Sequence, residues 1–170
     1  MTKRCLLFIA LSLLASCGFT LRGSVSNIQW LSPLLIVSEA LTPSTQDIIP
    51  LLTDHFETNH VIVIGEATKA RYILTIEKAS FERVIMSVSA STTPRQYELI
   101  YTLQYSLTPV KGTPLITSHT ISVMRQYTMN NDRILGSDFE EATIQKEMQK
   151  DAAIQLLMRI GRQNLHVNQA

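Results

Sequence analysis

The chain has 170 residues and a mass of 19.1 kDa, which suits a single domain with a hydrophobic core of its own. Hydrophobic residues make up 45% of the sequence, so neither an intrinsically disordered chain nor a polytopic membrane protein is expected. The formal net charge is +1, and this small charge argues against a nucleic-acid-binding protein, which needs clustered lysines and arginines.

The N-terminus is typical of a secretory leader. Lys3 and Arg4 form a positively charged head, and the apolar run over 6–15 is about half as long as the roughly 20 residues that span a bilayer. This run ends in Leu-Ala-Ser-Cys, which resembles the lipobox of bacterial lipoproteins at every position. The resemblance implies that residues 1–16 are removed as a signal peptide, that Cys17 is joined to diacylglycerol, and that its new amine is acylated. We therefore expect a protein held at a membrane by lipid on Cys17.

Location and cysteine chemistry follow from the same segment. Gly18 follows Cys17, whereas an aspartate there would resemble the inner-membrane retention signal of enteric bacteria, so we expect the periplasmic face of the outer membrane. The second cysteine, Cys5, is lost with the leader. No free thiol remains for a disulfide, a cysteine-ligated metal site or a cysteine nucleophile, and no metal or other cofactor is expected. Residues 17–32 are predicted to form the lipidated N-terminus and a tether.

The first half of the domain is predicted to combine strands with one helix. An apolar run over 33–38 predicts a buried strand. A helix is expected to begin at about Asp47, with a looser turn before it because Pro50 would disturb a helix interior. Two further strands are predicted, at 61–64 and 72–86.

The second half carries the clearest patterns. Over 97–108, aromatic or aliphatic residues alternate with mostly polar ones, which predicts a long strand with one buried face and one polar face. A turn and a second long strand over 115–127 predict an antiparallel hairpin. Ser137 and Glu140 form a capping-box pattern at the start of an amphipathic helix, which Gly161 is expected to end.

These elements predict the fold class. A sheet with one polar face needs a cover on its other face, and two amphipathic helices supply that cover. We therefore predict an α+β two-layer sandwich, in which a mostly antiparallel sheet of four to five strands carries two helices on one face. The single domain is expected to span 33–162 and to be followed by a polar tail at 163–170.

Three segments of the chain carry recognisable motifs. Residues 17–23 read Cys-Gly-Phe-Thr-Leu-Arg-Gly, the predicted long strand contains Tyr97-Glu98-Leu99, and 145–156 contains Lys-Glu-Met followed by Ala-Ala and Gln-Leu. They resemble, in this order, the start of the mature protein, the tyrosine-containing strand and the last helix of the LptE family of lipopolysaccharide-assembly lipoproteins. The resemblance implies the same two-layer fold. It also implies a non-catalytic protein that plugs the outer-membrane barrel LptD, helps this barrel to assemble and helps to pass lipopolysaccharide to the outer leaflet.

The resemblance further implies where lipopolysaccharide would be contacted. Family members carry basic residues in the loop before the tyrosine strand and just ahead of the last helix, and these regions here hold Arg95 and Arg133. Arginine suits a phosphate group because its planar guanidinium can bind two oxygens at once. Lys111, in the predicted hairpin turn, is a third candidate. For each of the three, a solvated loop charge without a ligand is the alternative.

The polar face of the long strand is a candidate surface for contact with a barrel, because barrel lumens are polar. Its members are Glu98, Thr102, Gln104, Ser106 and Thr108. The alternative is an ordinary exposed sheet face.

The sequence contains no pattern of catalytic residues. Its four histidines are scattered, and no HExxH, GxSxG or phosphate-binding glycine loop occurs. Tyr97, Tyr101 and Tyr105 could form a sugar-stacking platform, but they alternate with leucines on one face, which favours burial. Two other functions stay open. One is a lipoprotein that binds a lipid or other ligand independently of a barrel, in an apolar cavity between sheet and helices; the other is a structural envelope lipoprotein with a different partner.

Overall fold

The computed structural model describes residues 28–88, 94–128 and 134–167. Within these ranges the chain forms five β-strands, two α-helices and short 3-10 turns at Gln29–Leu31 and Ala67–Lys69. The strands are β1 (Leu34–Ser38), β2 (Val63–Ile64), β3 (Tyr72–Val88), β4 (Pro94–Pro109) and β5 (Ile116–Thr128). The helices are α1 (Pro43–Thr58), which follows β1, and α2 (Ile134–Val167), which follows β5.

The strands form one mixed sheet in the order β2-β1-β3-β4-β5. β1 runs parallel to both of its neighbours, whereas β3, β4 and β5 pair antiparallel. A parallel pair needs a crossover connection, and α1 supplies it between β1 and β2. In β4, Tyr101 lies opposite Phe81 of β3 and Val123 of β5. The predicted α+β class with a mostly antiparallel sheet is confirmed.

The alternation along β4 decides which face of the sheet the helices cover. Every second residue from Tyr97 to Leu107 is at most 9% exposed and belongs to one core cluster. The helices add apolar residues at helical spacing: Ile48, Leu52 and Phe56 from α1, and Met148, Ala152, Leu156 and Ile160 from α2. Both helices therefore cover the same face, and they also contact each other. The tyrosines of β4 are core residues, as the sequence pattern favours.

Helix α1 begins earlier than predicted. The Thr45 amide donates to the Thr42 hydroxyl at 3.3 Å, and the Thr42 amide donates to the Thr45 hydroxyl at 2.9 Å, so the two residues form a reciprocal cap. Pro43 occupies the first turn, where an amide hydrogen has no partner within the helix. Pro50 is exposed inside the helix. The predicted start at about Asp47 is therefore wrong. The cap stabilises the first turn, and the helix tolerates the one backbone hydrogen bond that Pro50 cannot donate.

Helix α2 is longer than predicted at both ends. It begins at Ile134, so Ser137 already lies within the helix and the predicted capping box is wrong. Gly161 is buried inside the helix, so the predicted end at this residue is also wrong. A glycine that ends a helix commonly adopts a positive φ. Among the described glycines, only Gly112, in the turn after β4, has a positive φ, so Gly161 does not adopt this conformation. Residues 163–167 of the predicted polar tail therefore belong to the helix.

The last residues of the predicted tether pack onto the domain. Ile28 and Leu31 are buried in the core at 1% and 0% exposure. The ring of Trp30 meets the ring of Tyr72 edge to face, with centroids 5.2 Å apart. The tether thus joins the folded domain before β1 begins.

Candidate functional site

The structure separates the predicted site residues. Cys17 and Arg133 lie outside the described residues. Arg95 is the second residue of β4, and its side chain also lies outside the described part. Lys111 is exposed in the turn after β4. Because a strand rises about 3.3 Å per residue, Arg95 and Lys111 are roughly 45 Å apart and cannot share one site.

The two ends of the sheet are therefore distinct regions. At the tether end, β1 and β3 begin and β4 ends. There the Arg71 amide donates to the Pro33 carbonyl at 2.9 Å, and the Val110 amide donates to the Arg71 carbonyl at 3.0 Å. At the far end, β3 and β5 end and β4 begins, and Tyr97 of β4 lies opposite Tyr127 of β5.

The far end holds a charged and aromatic cluster. Arg83 Nη1 donates to Glu141 Oε2 at 3.2 Å, and the Tyr127 hydroxyl donates to the same oxygen at 2.5 Å. The rings of Tyr97 and Tyr127 stack with centroids 5.5 Å apart, and the Arg83 guanidinium lies 5.2 Å over the Tyr97 ring. Since Glu141 belongs to α2 and the others to the sheet, the cluster ties this helix to β3, β4 and β5.

The electrostatics of this cluster favour one protonation state. Burial raises the pKa of Tyr127 to about 12, and its hydrogen bond to Glu141 acts in the same direction. The pKa of Arg83 is also raised, first by its contact with the Tyr127 hydroxyl and then by the charge of Glu141. At neutral pH, Tyr127 is therefore a protonated donor and Arg83 a cation. Sequence reasoning missed the cluster because Arg83 and Glu141 are 58 residues apart and no local pattern links them.

The tether end places Lys111 beside a second cation. Lys111 and Arg71 line one cleft of about 470 Å³, together with Tyr72 and Val110. Arg71 was missed by sequence reasoning. The register of β3 against β4 could have indicated it. Tyr72 pairs with Pro109, and this pairing brings the start of β3 next to the turn that holds Lys111.

The predicted barrel-contacting residues share the sheet face opposite the helices. They occupy the half-buried positions of β4 that alternate with its core positions: Glu98, Thr102, Gln104, Ser106 and Thr108. Between them, Ile100 pairs with Met124 of β5, which is 55% exposed. In β4 and β5 this face is therefore polar with one apolar pair near its middle.

Hydrogen bonds order the polar side chains of this face across three strands. Gln104 Nε2 donates to Ser118 Oγ at 3.0 Å, and Ser118 Oγ donates to Glu77 Oε2 at 2.7 Å. Gln126 Nε2 donates to Glu98 Oε1 at 3.3 Å. A surface with ordered donors and acceptors suits a polar interface in which water bridges part of the contact.

A groove lies between the two helices. Its volume is about 680 Å³, and its lining combines the charged Asp47, Lys146 and Lys150 with the apolar Leu51 and Phe81. The groove is thus mixed in character, unlike the apolar cavity that a lipid-binding alternative would need.

The layer between sheet and helices encloses the tyrosines of β4. Tyr101 and Tyr105 are fully buried, and their hydroxyls have no hydrogen-bond partner among the described residues. Burial raises the pKa of Tyr101 well above its usual value and the pKa of Tyr105 to about 12, so both stay neutral. A sugar-stacking platform needs exposed ring faces, and these rings are covered.

The described ranges offer neither a metal site nor a helix suited to cross a membrane. There, no three or more histidine, cysteine, aspartate or glutamate side chains come together in a way that could hold a metal ion. No helix of this part of the chain combines the length and the apolar character needed to cross a bilayer. The fold and its surfaces thus define a small α+β domain with one face packed on helices and one polar sheet face.

The comparison with family models identifies the family. The model described as "LptE: Lipopolysaccharide-assembly" matches residues 38–160, which is well over half of the chain. The chain therefore belongs to the LptE family, whose members are non-enzymatic outer-membrane lipoproteins of lipopolysaccharide assembly, and the predicted membership is confirmed. The match includes Arg95, Lys111 and Arg133 but not Cys17.

Solved structures share the fold. The chain is similar to rare lipoprotein B from Shewanella oneidensis, with a TM-score of 0.68 and 20% identity over 79% of this chain and 98% of that one. It is similar to lipoprotein B from Nitrosomonas europaea, with a TM-score of 0.68 and 28% identity over 85% and 90% of the two chains. A minor lipoprotein from Acinetobacter baumannii has a TM-score of 0.62 and 17% identity over 77% and 91%. No curated protein sequence matches the chain significantly.

Proposed function

We propose that the chain is the lipid-anchored partner of an LptD-like outer-membrane barrel. It plugs the barrel, helps it to assemble and assists the transfer of lipopolysaccharide to the outer leaflet. The observation that carries this proposal is the family match over 38–160, on a fold whose polar sheet face lies opposite both helices.

Cys17 is the proposed point of attachment to the membrane. The lipobox-like segment before it motivates the assignment, and the described helices are not suited to cross a bilayer. Two or more acyl chains bury enough CH₂ groups, at about 0.8 kcal/mol each, to hold a protein stably. The domain then lies on the periplasmic face of the outer membrane.

The polar face of β4 and β5 is the proposed contact with the barrel. The lumen of an outer-membrane barrel is polar, so ordered side chains such as Gln104 and Glu98 can exchange hydrogen bonds with it directly or through water. The pair formed by Ile100 and Met124 would give this contact an apolar centre.

The far end is the proposed site of contact with lipopolysaccharide. Arg95 adjoins Gln96, which pairs with Thr128 at the end of β5, and α2 begins one residue after Arg133. Both arginines are thus neighbours in sequence of segments at the far end, and we expect their guanidinium groups to bind phosphate oxygens. Lys111 lies at the tether end and so belongs to a separate site.

A photoreactive amino acid in place of Thr102 tests the barrel partnership. Thr102 lies on the polar face of β4, and Gln155, exposed on α2, is the matched control on the opposite side of the domain. In intact outer membranes we expect the Thr102 position to crosslink to a large barrel protein more strongly than the Gln155 position. Crosslinks from Gln155 alone would reject the polar face as the contact, and no barrel adduct from either position would reject the partnership.

The lipopolysaccharide site is tested by a double variant. We expect Arg95→Ala with Arg133→Ala to weaken lipopolysaccharide binding about tenfold or more, because each contact is a charge-assisted hydrogen bond to phosphate. Arg162→Ala, which replaces an exposed arginine near the other end of α2, is the matched control and should leave this binding unchanged. Unaltered binding in the folded double variant would remove both arginines from the site.

A further inference from the structure

The cleft at the tether end brings two cations to one opening. Arg71 and Lys111 are both exposed, and they line a cleft of about 470 Å³ with Tyr72 and Val110. None of the residues that line it is acidic. The cleft is therefore a region of positive potential without a compensating carboxylate in its wall.

Three other cations of the described residues are paired with carboxylates, unlike these two. Lys69 lies 2.9 Å from Glu66, and Arg83 and Arg125 pair with carboxylates of α2. Neither Arg71 nor Lys111 forms an ion pair with a described carboxylate. The Arg71 guanidinium instead lies 5.6 Å over the Tyr72 ring, and this contact leaves its N–H donors available at the edge of the group.

The main chain fixes the spacing of the two cations. The Val110 amide donates to the Arg71 carbonyl at 3.0 Å, which holds the turn after β4 against the start of β3. Gly112 adopts a φ of 122°, a conformation that other residues rarely take, and so lets the chain turn directly after Lys111. The backbone positions of both cations are thus set before a ligand binds.

The route of the chain places this end near the proposed membrane anchor. Ile28 and Leu31 dock in the core just before β1, and Arg71 is hydrogen-bonded to Pro33 at the start of that strand. Cys17 lies 11 residues before Ile28 in the sequence. At no more than about 3.6 Å per residue, Ile28 can lie at most roughly 40 Å from Cys17. Trp30, two residues further on, contacts Tyr72 in the wall of the cleft.

We propose that the Arg71–Lys111 cleft binds the phosphate of an anionic phospholipid headgroup in the leaflet that holds the anchor. The assignment rests on the proposed lipid anchor at Cys17. Arg71 supplies paired donors to phosphate oxygens and Lys111 a mobile point charge, while Val110, which is 45% exposed beside them, meets the apolar part of the interface. Two uncompensated cations favour a headgroup with a net negative charge over a zwitterionic one.

The test uses the mature, lipidated full chain in vesicles, because the anchor holds the protein at the surface whatever the headgroup. A photoreactive amino acid replaces Val110, and lipid adducts are compared between vesicles of phosphatidylcholine and vesicles that also contain phosphatidylglycerol. We expect a several-fold higher yield with phosphatidylglycerol, since one cation at an anionic surface gains about fivefold in binding. The same replacement at Met124, an exposed apolar residue of β5, is the matched control and should not depend on the headgroup.

Charge variants decide whether the cleft causes the difference. In the Arg71→Gln, Lys111→Gln double variant, we expect the Val110 yield to fall to the phosphatidylcholine level. Equal yields on both kinds of vesicle, or a yield unchanged by the two substitutions, would overturn the proposal. A competition experiment with inorganic phosphate gives a further contrary result. If phosphate abolishes the higher Val110 yield on phosphatidylglycerol and chloride of equal ionic strength does not, the cleft is a site for free phosphate and the proposal is overturned.

The mass of the same protein separates two kinds of failure. A chain without lipid on Cys17 would contradict the proposed anchor and hence the proposed function. A lipidated chain whose Val110 yield ignores the headgroup would contradict the cleft alone.

Discussion

The two ends of the sheet carry arginines in similar aromatic settings but with different partners. Arg83 lies 5.2 Å over the ring of Tyr97, and Arg71 lies 5.6 Å over the ring of Tyr72. At the far end, Glu141 meets Arg83, whereas no described carboxylate meets Arg71. The difference between the two arginines is therefore the carboxylate and not the ring. Arg83 uses its donors to bind Glu141 within the fold, whereas the donors of Arg71 remain available for a ligand.

The largest effect is expected in the strand that joins the two ends. Leu103 lies in the middle of β4 and is 0% exposed. Leu103→Ala should lower the free energy of unfolding by about 2–5 kcal/mol, because it leaves a cavity under the helices. Chemical denaturation measures this loss. Thr102→Ala, one residue away on the polar face, should change stability by less than about 0.5 kcal/mol. A loss of less than about 0.5 kcal/mol at Leu103 itself would mean that the faces of β4 are reversed.

Alkaline pH is expected to act on the buried tyrosines of the core and the far end. Burial raises the pKa of both Tyr105 and Tyr127 to about 12, above the value of about 10 in an unfolded chain. A raised pKa means that folding favours the protonated form, so this stabilisation is complete below about pH 10 and is lost as the pH rises through 12. The free energy of unfolding, measured across this range, should fall. Tyr105→Phe should make the fall shallower, and an unaltered slope would contradict this assignment.

Glu141→Gln removes the carboxylate that pairs with Arg83, so the arginine at the far end, like Arg71 at the tether end, would lie over a tyrosine ring without an ion pair. The substitution removes the ion pair with Arg83, whose side chain is 51% exposed, and weakens the hydrogen bond from Tyr127. Solvent screens the ion pair, so we expect a loss of about 1 kcal/mol in the free energy of unfolding. Glu147→Gln, at an exposed position of the same helix, is the control and should be neutral. Similar losses in both variants would show that the cluster has no special role.

Arg71→Gln is expected to have the smallest effect on stability. Arg71 loses a contact with the Tyr72 ring at an exposed site, which corresponds to about 0.5 kcal/mol. Arg83→Gln should cost about twice as much, because it also loses Glu141. Thermal or chemical unfolding of the two variants compares them directly. A loss at Arg71 that equals the loss at Arg83 would mean that both arginines are structural.

Elements with strong local patterns were predictable from the sequence. The alternation over 97–108 predicted β4 together with its buried face, and the amphipathic pattern that follows the predicted capping box indicated α2. The ends of the helices were less predictable. A capping-box pattern at Ser137 does not stop a helix from starting earlier, and Gly161 ends a helix only if it takes a positive φ.

Features that depend on long-range pairing could not be read from local patterns. The parallel insertion of β1 between β2 and β3 depends on contacts such as Leu34 with Tyr72, which no local period encodes. The contact of Arg83 with Glu141 and the position of Arg71 and Lys111 at one cleft likewise depend on contacts between residues far apart in the sequence. Lys111 was correctly placed in the hairpin turn, but its neighbour became visible only with the register of β3 and β4.

Native mass spectrometry of the chain isolated from outer membranes in mild detergent tests the central claim most directly. We expect one complex that contains a large barrel protein and a single copy of the chain, which begins at an acylated Cys17. A chain recovered alone, with residues 1–16 still attached and no fatty acid on Cys17, would contradict the account.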